Sequence, residues 1–258
     1  MKTLIMAALA AGAAVQVQAA PVTAPKPTVV LVHGAFADSS SWNGVVTILQ
    51  RHGYRVVAAA NPLRSVRTDA DAVSDIVKSI KGPVVLVGHS YGGSVISEAA
   101  EGRPNVKALV YVAAFAPDAG ETALGLTSKF PGSTLGPTLA PAVDLTGGGK
   151  DLYIQQARFH DQFAADVPAA QARLMAAGQR PITQAALTEA STEPAWKHVP
   201  SWFVYGSGDK NIPPAALAFM AKRAHSRQTI VIKGASHVVM VSNAPAVAGL
   251  IERAALSR

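Results

Sequence analysis

A serine stands between two glycines in Gly88-His89-Ser90-Tyr91-Gly92, the spacing G-x-S-x-G. A serine hydroxyl becomes a nucleophile when a base accepts its proton, and this spacing holds such a serine on a sharp turn between a strand and a helix. The apolar run from Val84 to Val87 predicts a buried strand before it, and Ser94 to Ala100 predicts a helix after it. Glycine is common in this chain, so this context, rather than the short pattern alone, indicates nucleophilic catalysis by Ser90.

A base and an orienting acid for Ser90 are expected in loops that follow later strands. His237 comes just after the predicted strand from Thr229 to Ile232, and Asp209 comes just after the one from Ser201 to Tyr205. An aspartate after Gly-Ser-Gly is by itself more often a turn or capping residue, and a histidine at a strand end is more often packed or solvated. The order Ser90, Asp209, His237, with each residue at a strand exit, nevertheless predicts a catalytic triad.

Acyl transfer also needs backbone N–H donors where negative charge develops on the carbonyl oxygen. The first candidate donor is the N–H of Tyr91, at a helix N-terminus where the helix dipole adds to the effect. The second is the N–H of Ala35, in the segment His33-Gly34-Ala35-Phe36 after the first predicted strand. His33 and His89 are predicted to brace these two loops rather than to take part in chemistry.

Strand and helix patterns alternate along the chain, and they must position these residues. The alternation predicts an α/β fold with a mostly parallel sheet covered by helices on both faces. The other predicted elements up to residue 114 are strands Thr28 to Val32, Tyr54 to Ala60 and Lys107 to Ala114, and helices Ser41 to His52 and Thr68 to Lys81.

The alternation stops between residues 117 and 195. Loops rich in glycine and proline are followed there by the helical segments Leu152 to Ala165 and Ala169 to Ala177. An insertion late in a parallel sheet lies over the ends of the strands, where ligands bind in such folds. We therefore predict an inserted helical lid at about residues 117–195.

Composition limits the class of protein. The chain has 258 residues, of which 49% are hydrophobic and 15% charged, as expected of one large, well-packed domain. Its formal charge of +7 is scattered, so no nucleic-acid partner is expected. It contains no cysteine, which excludes disulfides and thiolate metal sites.

The start of the chain predicts export. Lys2 precedes an apolar stretch from Leu4 to Val15, and Val17-Gln18-Ala19 offers small residues for a signal peptidase. The predicted domains are a signal peptide at residues 1–19 and a catalytic domain at residues 20–258, with the lid inserted in it. The apolar stretch is too short for a stable membrane anchor, so we expect a periplasmic or secreted protein.

These motifs together resemble the α/β-hydrolase fold family, and in particular esterase-like serine hydrolases with a short helical lid. The resemblance runs from about Thr28 to Ala255. It implies that Ser90 is the nucleophile, His237 the base and Asp209 the orienting acid, with an oxyanion hole formed by the N–H groups of Ala35 and Tyr91. It implies a small-molecule ester as substrate and neither a metal nor a cofactor. The candidate substrate-binding side chains are Phe36, Phe159, His160, Phe163 and Val238.

Related reactions of this family are partly separable by sequence. Haloalkane dehalogenases and epoxide hydrolases carry an aspartate at the position of Ser90. Hydroxynitrile lyases carry a lysine next to the catalytic histidine, where this chain has Val238. Hydrolysis of a lactone or an amide, perhydrolysis, and a receptor role with vestigial turnover remain open, as do acyl preference and oligomeric state.

Overall fold

The computed structural model describes residues 25–257, so the predicted signal peptide lies outside the described residues. A six-stranded sheet dominates the architecture, with strand order β2-β1-β3-β4-β8-β9. All five strand pairs in it are parallel. The strands of the chain are β1 (Thr28–Val32), β2 (Val56–Ala59), β3 (Val84–His89), β4 (Val106–Val112), β5 (Val143–Asp144), β6 (Lys150–Leu152), β7 (Ile182–Thr183), β8 (Ser201–Gly206) and β9 (Gln228–Ile232).

Burial explains why the central strands are continuous apolar runs. Every residue of β1, β3 and β8 is buried, because helices cover both faces of a parallel sheet. The edge strand β9 instead alternates between half-buried and exposed residues. The predicted fold class, an α/β fold with a mostly parallel sheet, is confirmed.

The helices pack in pairs against this sheet. Helix α3 contacts α2 and strand β3, α10 contacts α1 and β4, and α8 contacts β8. Ser65 caps α2, accepting a hydrogen bond from the backbone N–H of Thr68 at 3.2 Å. The α-helices are α1 (Asn43–Arg51), α2 (Val66–Ser79), α3 (Gly92–Ala99), α4 (Ala123–Ser128), α5 (Gln156–Phe163), α6 (Ala169–Ala177), α7 (Gln184–Thr188), α8 (Pro214–Arg223), α9 (Val239–Ser242) and α10 (Ala244–Leu256).

The segment between β4 and β8 leaves the sheet and returns to it, since these two strands are direct neighbours. It contains helices α4 to α7, and helix α6 has the bounds predicted from the sequence. It also contains a three-stranded antiparallel sheet, β5-β6-β7, which was not predicted. The prediction of helix from Leu152 is wrong, since β6 ends at Leu152 and α5 begins at Gln156. Strands of two or three residues are too short to show a period in the sequence.

Between residues 25 and 257, no helix has the length and apolar character needed to span a membrane.

Candidate active site

Ser90 lies on a strained turn between β3 and α3. Its φ of 54° is in the left-handed region, which is unfavourable for a residue with a side chain. The turn is held by main-chain bonds, because Ser90 N donates to Val112 O at 3.2 Å and Ser90 O accepts from Phe115 N at 3.1 Å. Gly88 is required beside it, since a Cβ there would lie 2.5 Å from Gly92 O. Strain held by surrounding structure in this way is typical of a functional position.

His237 and Asp209 form a buried pair. His237 Nδ1 donates to Asp209 Oδ2 at 2.7 Å, and the two side chains are 1% and 0% exposed. The other oxygen, Asp209 Oδ1, accepts from the backbone N–H groups of Asn211 at 2.8 Å and Ile212 at 3.0 Å. A proton fixed on Nδ1 leaves His237 Nε2 as the basic nitrogen, the arrangement that a general base needs.

The main chain fixes the separation of this acid and this base. The last residue of β8 is Gly206, where a Cβ would lie 2.0 Å from Ala235 O. Gly208 N also donates to Ala235 O at 3.0 Å, and Ser207 N donates to Ile232 O at 3.0 Å. The loops that carry Asp209 and His237 therefore touch through their backbones.

Ser90, His237, Ala35 and Tyr91 line one cavity of about 340 Å³. In the described part of the chain, no hydrogen bond joins Ser90 Oγ to His237, as is common in hydrolases without bound substrate. The backbone N–H groups of Ala35 and Tyr91 donate to no other residue between 25 and 257, and the two residues are 5% and 1% exposed. Buried N–H groups are almost always paired, so two unpaired ones at one cavity form a suitable oxyanion hole.

The rest of the cavity wall is uncharged and mostly apolar, and its polar members are Thr127, Ser133, Gln184, Thr188 and Asn211. Helices α4, α5 and α7 and the lid loops contribute most of it. None of the described residues that line the cavity is Lys, Arg, Asp or Glu. Such a wall favours a neutral, apolar group, because an unpaired charge is expensive to bury. Its large apolar members are Phe36, Phe115, Leu124, Leu135, Leu139, Leu152, Phe163, Leu187 and Ile212.

Two of the five candidate substrate-binding side chains line this cavity. They are Phe36 and Phe163, whose rings meet edge to face with centroids 6.1 Å apart.

The other three candidates, Phe159, His160 and Val238, are not among the lining residues. Phe159 is 0% exposed and packs behind Phe163, with ring centroids 4.9 Å apart. His160 Nε2 donates to Val167 O at 2.8 Å and so closes the turn after α5. Val238 is 0% exposed in the core. Position in a helix or next to a catalytic residue does not fix which way a side chain points.

His33 follows β1 directly, and His89 is the last residue of β3. His89 is fully buried, and its Nε2 donates to His237 O at 3.2 Å. His33 Nε2 accepts from the backbone N–H of Asn61 at 3.1 Å. Burial lowers the pKa of His33 and lowers that of His89 well below its ordinary value, so both rings are neutral at neutral pH.

One lid residue that the sequence does not identify is hydrogen-bonded to the loop that carries Asp209. Gln162 of α5 is 4% exposed, and its Nε2 donates to Lys210 O at 2.9 Å and to Asn211 Oδ1 at 3.1 Å. A glutamine among polar lid residues gives no sign of burial, so the sequence contains no signal that identifies it.

Comparison with known proteins supports the fold and identifies the family. The chain matches the alpha/beta hydrolase family over residues 29–250. It is 27% identical over 249 residues to alpha/beta hydrolase nvfD of Aspergillus novofumigatus (strain IBT 16806), covering 89% of this chain and 97% of that protein. It is 31% identical over 113 residues to the carbendazim hydrolyzing esterase of Nocardioides sp. (strain SG-4G), covering 39% of this chain and 47% of that one.

Among solved structures, polyneuridine aldehyde esterase superposes with a TM-score of 0.76 at 20% identity, over 88% of this chain and 98% of that one. Identity at this level shows a shared fold. The family match, in contrast, spans most of the sequence from β1 to α10. This protein belongs to the alpha/beta hydrolase family.

Proposed function

We propose that this protein, a carboxylic-ester hydrolase, is exported and cleaves neutral, apolar esters of small molecules through an acyl-enzyme on Ser90. One observation carries the proposal. Ser90 on its strained turn, His237 with its partner Asp209 behind it, and two unpaired backbone N–H groups all meet at one mostly apolar cavity. Each group that acyl transfer requires is therefore present at a single place.

The chemistry follows from these positions. His237 Nε2 takes the hydroxyl proton while Ser90 Oγ attacks the ester carbonyl carbon. The carbonyl oxygen becomes an oxyanion, which the N–H groups of Ala35 and Tyr91 stabilise. The carbon–oxygen bond to the alcohol breaks, and the alcohol leaves with the proton from His237. Water then repeats these steps on the acyl-enzyme and releases the acid and Ser90.

The cavity wall and the relatives support an ester with apolar substituents. A carboxylate or ammonium group on the substrate would find no charged partner among the described lining residues. The esterase of Nocardioides is named for hydrolysis of carbendazim. We therefore expect uncharged esters to be turned over faster than esters with a charged acyl group.

The mechanism is tested with purified mature protein on p-nitrophenyl acetate, butyrate and octanoate. Ser90→Ala is expected to lower kcat by about 10⁴- to 10⁶-fold, because the nucleophile is lost. Ser79→Ala is a matched control, since the Ser79 hydroxyl is exposed on α2. Full activity in Ser90→Ala would rule out the serine mechanism. A lactone and an amide in the same assay separate the other reactions open to this site.

Export is tested independently of catalysis. The full chain is expressed in a bacterium, the periplasmic fraction is collected, and the N-terminus of the protein is sequenced. We expect Ala20 as the first residue. A protein found only in the cytoplasm with residues 1–19 attached would contradict export and leave the ester-hydrolase proposal intact.

A further inference from the structure

The side chain of Tyr91 makes a buried contact that the ester mechanism does not use. Its hydroxyl donates to Asp69 Oδ2 at 3.0 Å, and the two residues are 1% and 0% exposed. Tyr91 immediately precedes α3, and Asp69 lies in the first turn of α2. The residue that offers an oxyanion donor from its backbone is thus tied through its side chain to the neighbouring helix.

Asp69 is itself held by backbone amides. The N–H of Arg64 donates to Asp69 Oδ1 at 3.2 Å and to Oδ2 at 3.1 Å. Within the described residues, no basic side chain hydrogen-bonds to this carboxylate. Burial raises the pKa of Asp69, and hydrogen bonds from backbone amides at residues 63–65 and from the Tyr91 hydroxyl partly offset that rise. Burial of a carboxylate without a cationic partner is costly, and these hydrogen bonds offset part of that cost.

The turn at residues 63–65, whose backbone amides hold Asp69, is strained and is bonded to the lid. Leu63 has a φ of 63°, so its backbone is strained. The lid also packs on this turn, since Thr183 N donates to Leu63 O at 3.1 Å, and Arg64 Nη1 pairs with Asp151 Oδ1 at 2.7 Å. The Asp69 carboxylate therefore lies between Tyr91, which precedes α3, and a turn that is hydrogen-bonded to the lid.

We infer that Asp69 is a positioning residue, which holds the Tyr91 side chain so that the Tyr91 N–H points at the oxyanion. This inference rests on the proposed role of Tyr91 in ester hydrolysis. A donor to the oxyanion acts over a short range, so a shift of about 1 Å in its position lowers the rate substantially. Asp69 acts through Tyr91 and does not touch the substrate.

Two variants separate this role from a purely structural one. Tyr91→Phe keeps the ring and the backbone N–H and removes only the hydroxyl. Asp69→Asn keeps the shape but places an amide against the N–H of Arg64. Tyr111→Phe is the control, because Tyr111 is a fully buried tyrosine whose hydroxyl bonds Ser97 Oγ at 2.8 Å and which does not line the cavity.

The first readout is kinetic. We expect Tyr91→Phe and Asp69→Asn each to lower kcat by about 10- to 100-fold with KM changed less than about twofold, since the lost interaction acts in the transition state. The double variant should be no slower than the slower single variant, because both changes act on the same contact between residues 69 and 91. The control should keep wild-type kcat.

The second readout does not depend on turnover. Ser90 Oγ adds to the carbonyl carbon of a trifluoromethyl ketone, its proton passes to His237 Nε2, and the ketone oxygen becomes an oxyanion. The matching methyl ketone binds mainly without this addition. We expect the affinity ratio of these two probes to fall by about 10-fold or more in both variants and to stay unchanged in the control.

Unchanged kcat and an unchanged ketone ratio in folded Tyr91→Phe would overturn the inference, even if Asp69→Asn fails to fold. If Ser90→Ala still abolished hydrolysis, the proposed function would survive that result. Full activity in Ser90→Ala would overturn both.

Discussion

Gln162 Nε2, in the lid, donates a hydrogen bond to Asn211 Oδ1 at 3.1 Å. Asn211 lies in the loop that also carries Asp209. The backbone N–H of the same asparagine donates to Asp209 Oδ1 at 2.8 Å. The glutamine oxygen accepts from Thr134 Oγ1 at 2.8 Å, so its amide joins two lid segments to the acid loop. The lid therefore helps to hold the carboxylate that orients His237.

Removing this amide should destabilise the protein. Gln162→Met keeps the length of the side chain but leaves the buried Asn211 Oδ1 without a partner and removes the hydrogen bonds to Thr134 Oγ1 and Lys210 O. We expect the free energy of unfolding to fall by about 1–3 kcal/mol in urea denaturation, the usual cost of leaving a buried polar group unsatisfied. Gln155→Met is the control, because Gln155 is exposed and makes one side-chain bond, to Leu139 O at 2.9 Å. Equal losses in the two variants would contradict this role.

Asp209→Asn should stop catalysis without unfolding the protein. An amide in place of the carboxylate can favour the wrong His237 tautomer, with the proton on Nε2, so kcat is expected to fall by about 10⁴-fold. The measurement is kcat on p-nitrophenyl butyrate together with a circular dichroism spectrum. Asp75→Asn, on the exposed face of α2 where Asp75 pairs with Lys78 at 2.8 Å, should keep full activity. Near-normal turnover in Asp209→Asn would mean that another acid orients His237.

Phe36 should limit the size of the substrate. It lines the cavity at Ser90 and also a second cavity of about 350 Å³ between the lid helix α6 and the loop before α1. Phe36→Ala should open one cavity to the other. The ratio of kcat/KM for the octanoate ester to kcat/KM for the acetate ester should then rise by about 10-fold, because roughly two further CH₂ groups of the longer acyl chain become buried. Phe130→Ala is the control, since Phe130 packs on Phe219 and lines neither cavity. An unchanged dependence of kcat/KM on acyl-chain length would show that Phe36 does not limit the size of the substrate.

His89 should make stability depend on pH. Burial, and then the His237 ring, lower its pKa well below the ordinary 6.5. Between that lowered value and 6.5 the unfolded chain binds more protons than the folded chain. The contribution of His89 to the free energy of unfolding should therefore be complete above pH 6.5. Below pH 6.5 the free energy of unfolding should fall by up to about 1.4 kcal/mol per pH unit.

His33, whose pKa is also lowered by burial, adds to the slope in the same direction. His89→Gln should flatten the plot of unfolding free energy against pH between 7 and 5, measured with urea. The exposed His198 provides the control variant His198→Gln, which should keep the wild-type slope. A wild-type slope in His89→Gln would assign the pH dependence to other groups.

The sheet was predictable from the sequence because its central strands are buried on both faces. Val84 to Val87 and Ser201 to Tyr205 are short runs of mostly apolar residues, each followed by glycine, and this pattern identifies both a strand and its end. Ser90, Asp209 and His237 follow such ends, so the parallel topology alone predicts that they meet at one edge of the sheet.

The small sheet of the lid and the supporting contacts were not predictable for three physical reasons. Strands β5 and β7 have two residues each, which is too few to show a pattern. Gln162 and Asp69 are polar residues in helices, where exposure is the usual outcome, and only tertiary packing buries them. The hydrogen bond of His160 to Val167 O depends on the turn after α5, which periodicity does not describe.

The close approach of Gly206 to Ala235 bears on how this enzyme can be altered. The spacing of acid and base is set by the contact of two backbones, whereas the cavity wall is set by side chains of the lid and the neighbouring loops. Laboratory evolution can therefore change Leu124, Leu135 and Leu187 together without moving the His237–Asp209 pair. A library confined to such lining positions should contain many variants with a new substrate preference and an intact catalytic apparatus, while one that includes position 206 should contain mostly inactive protein.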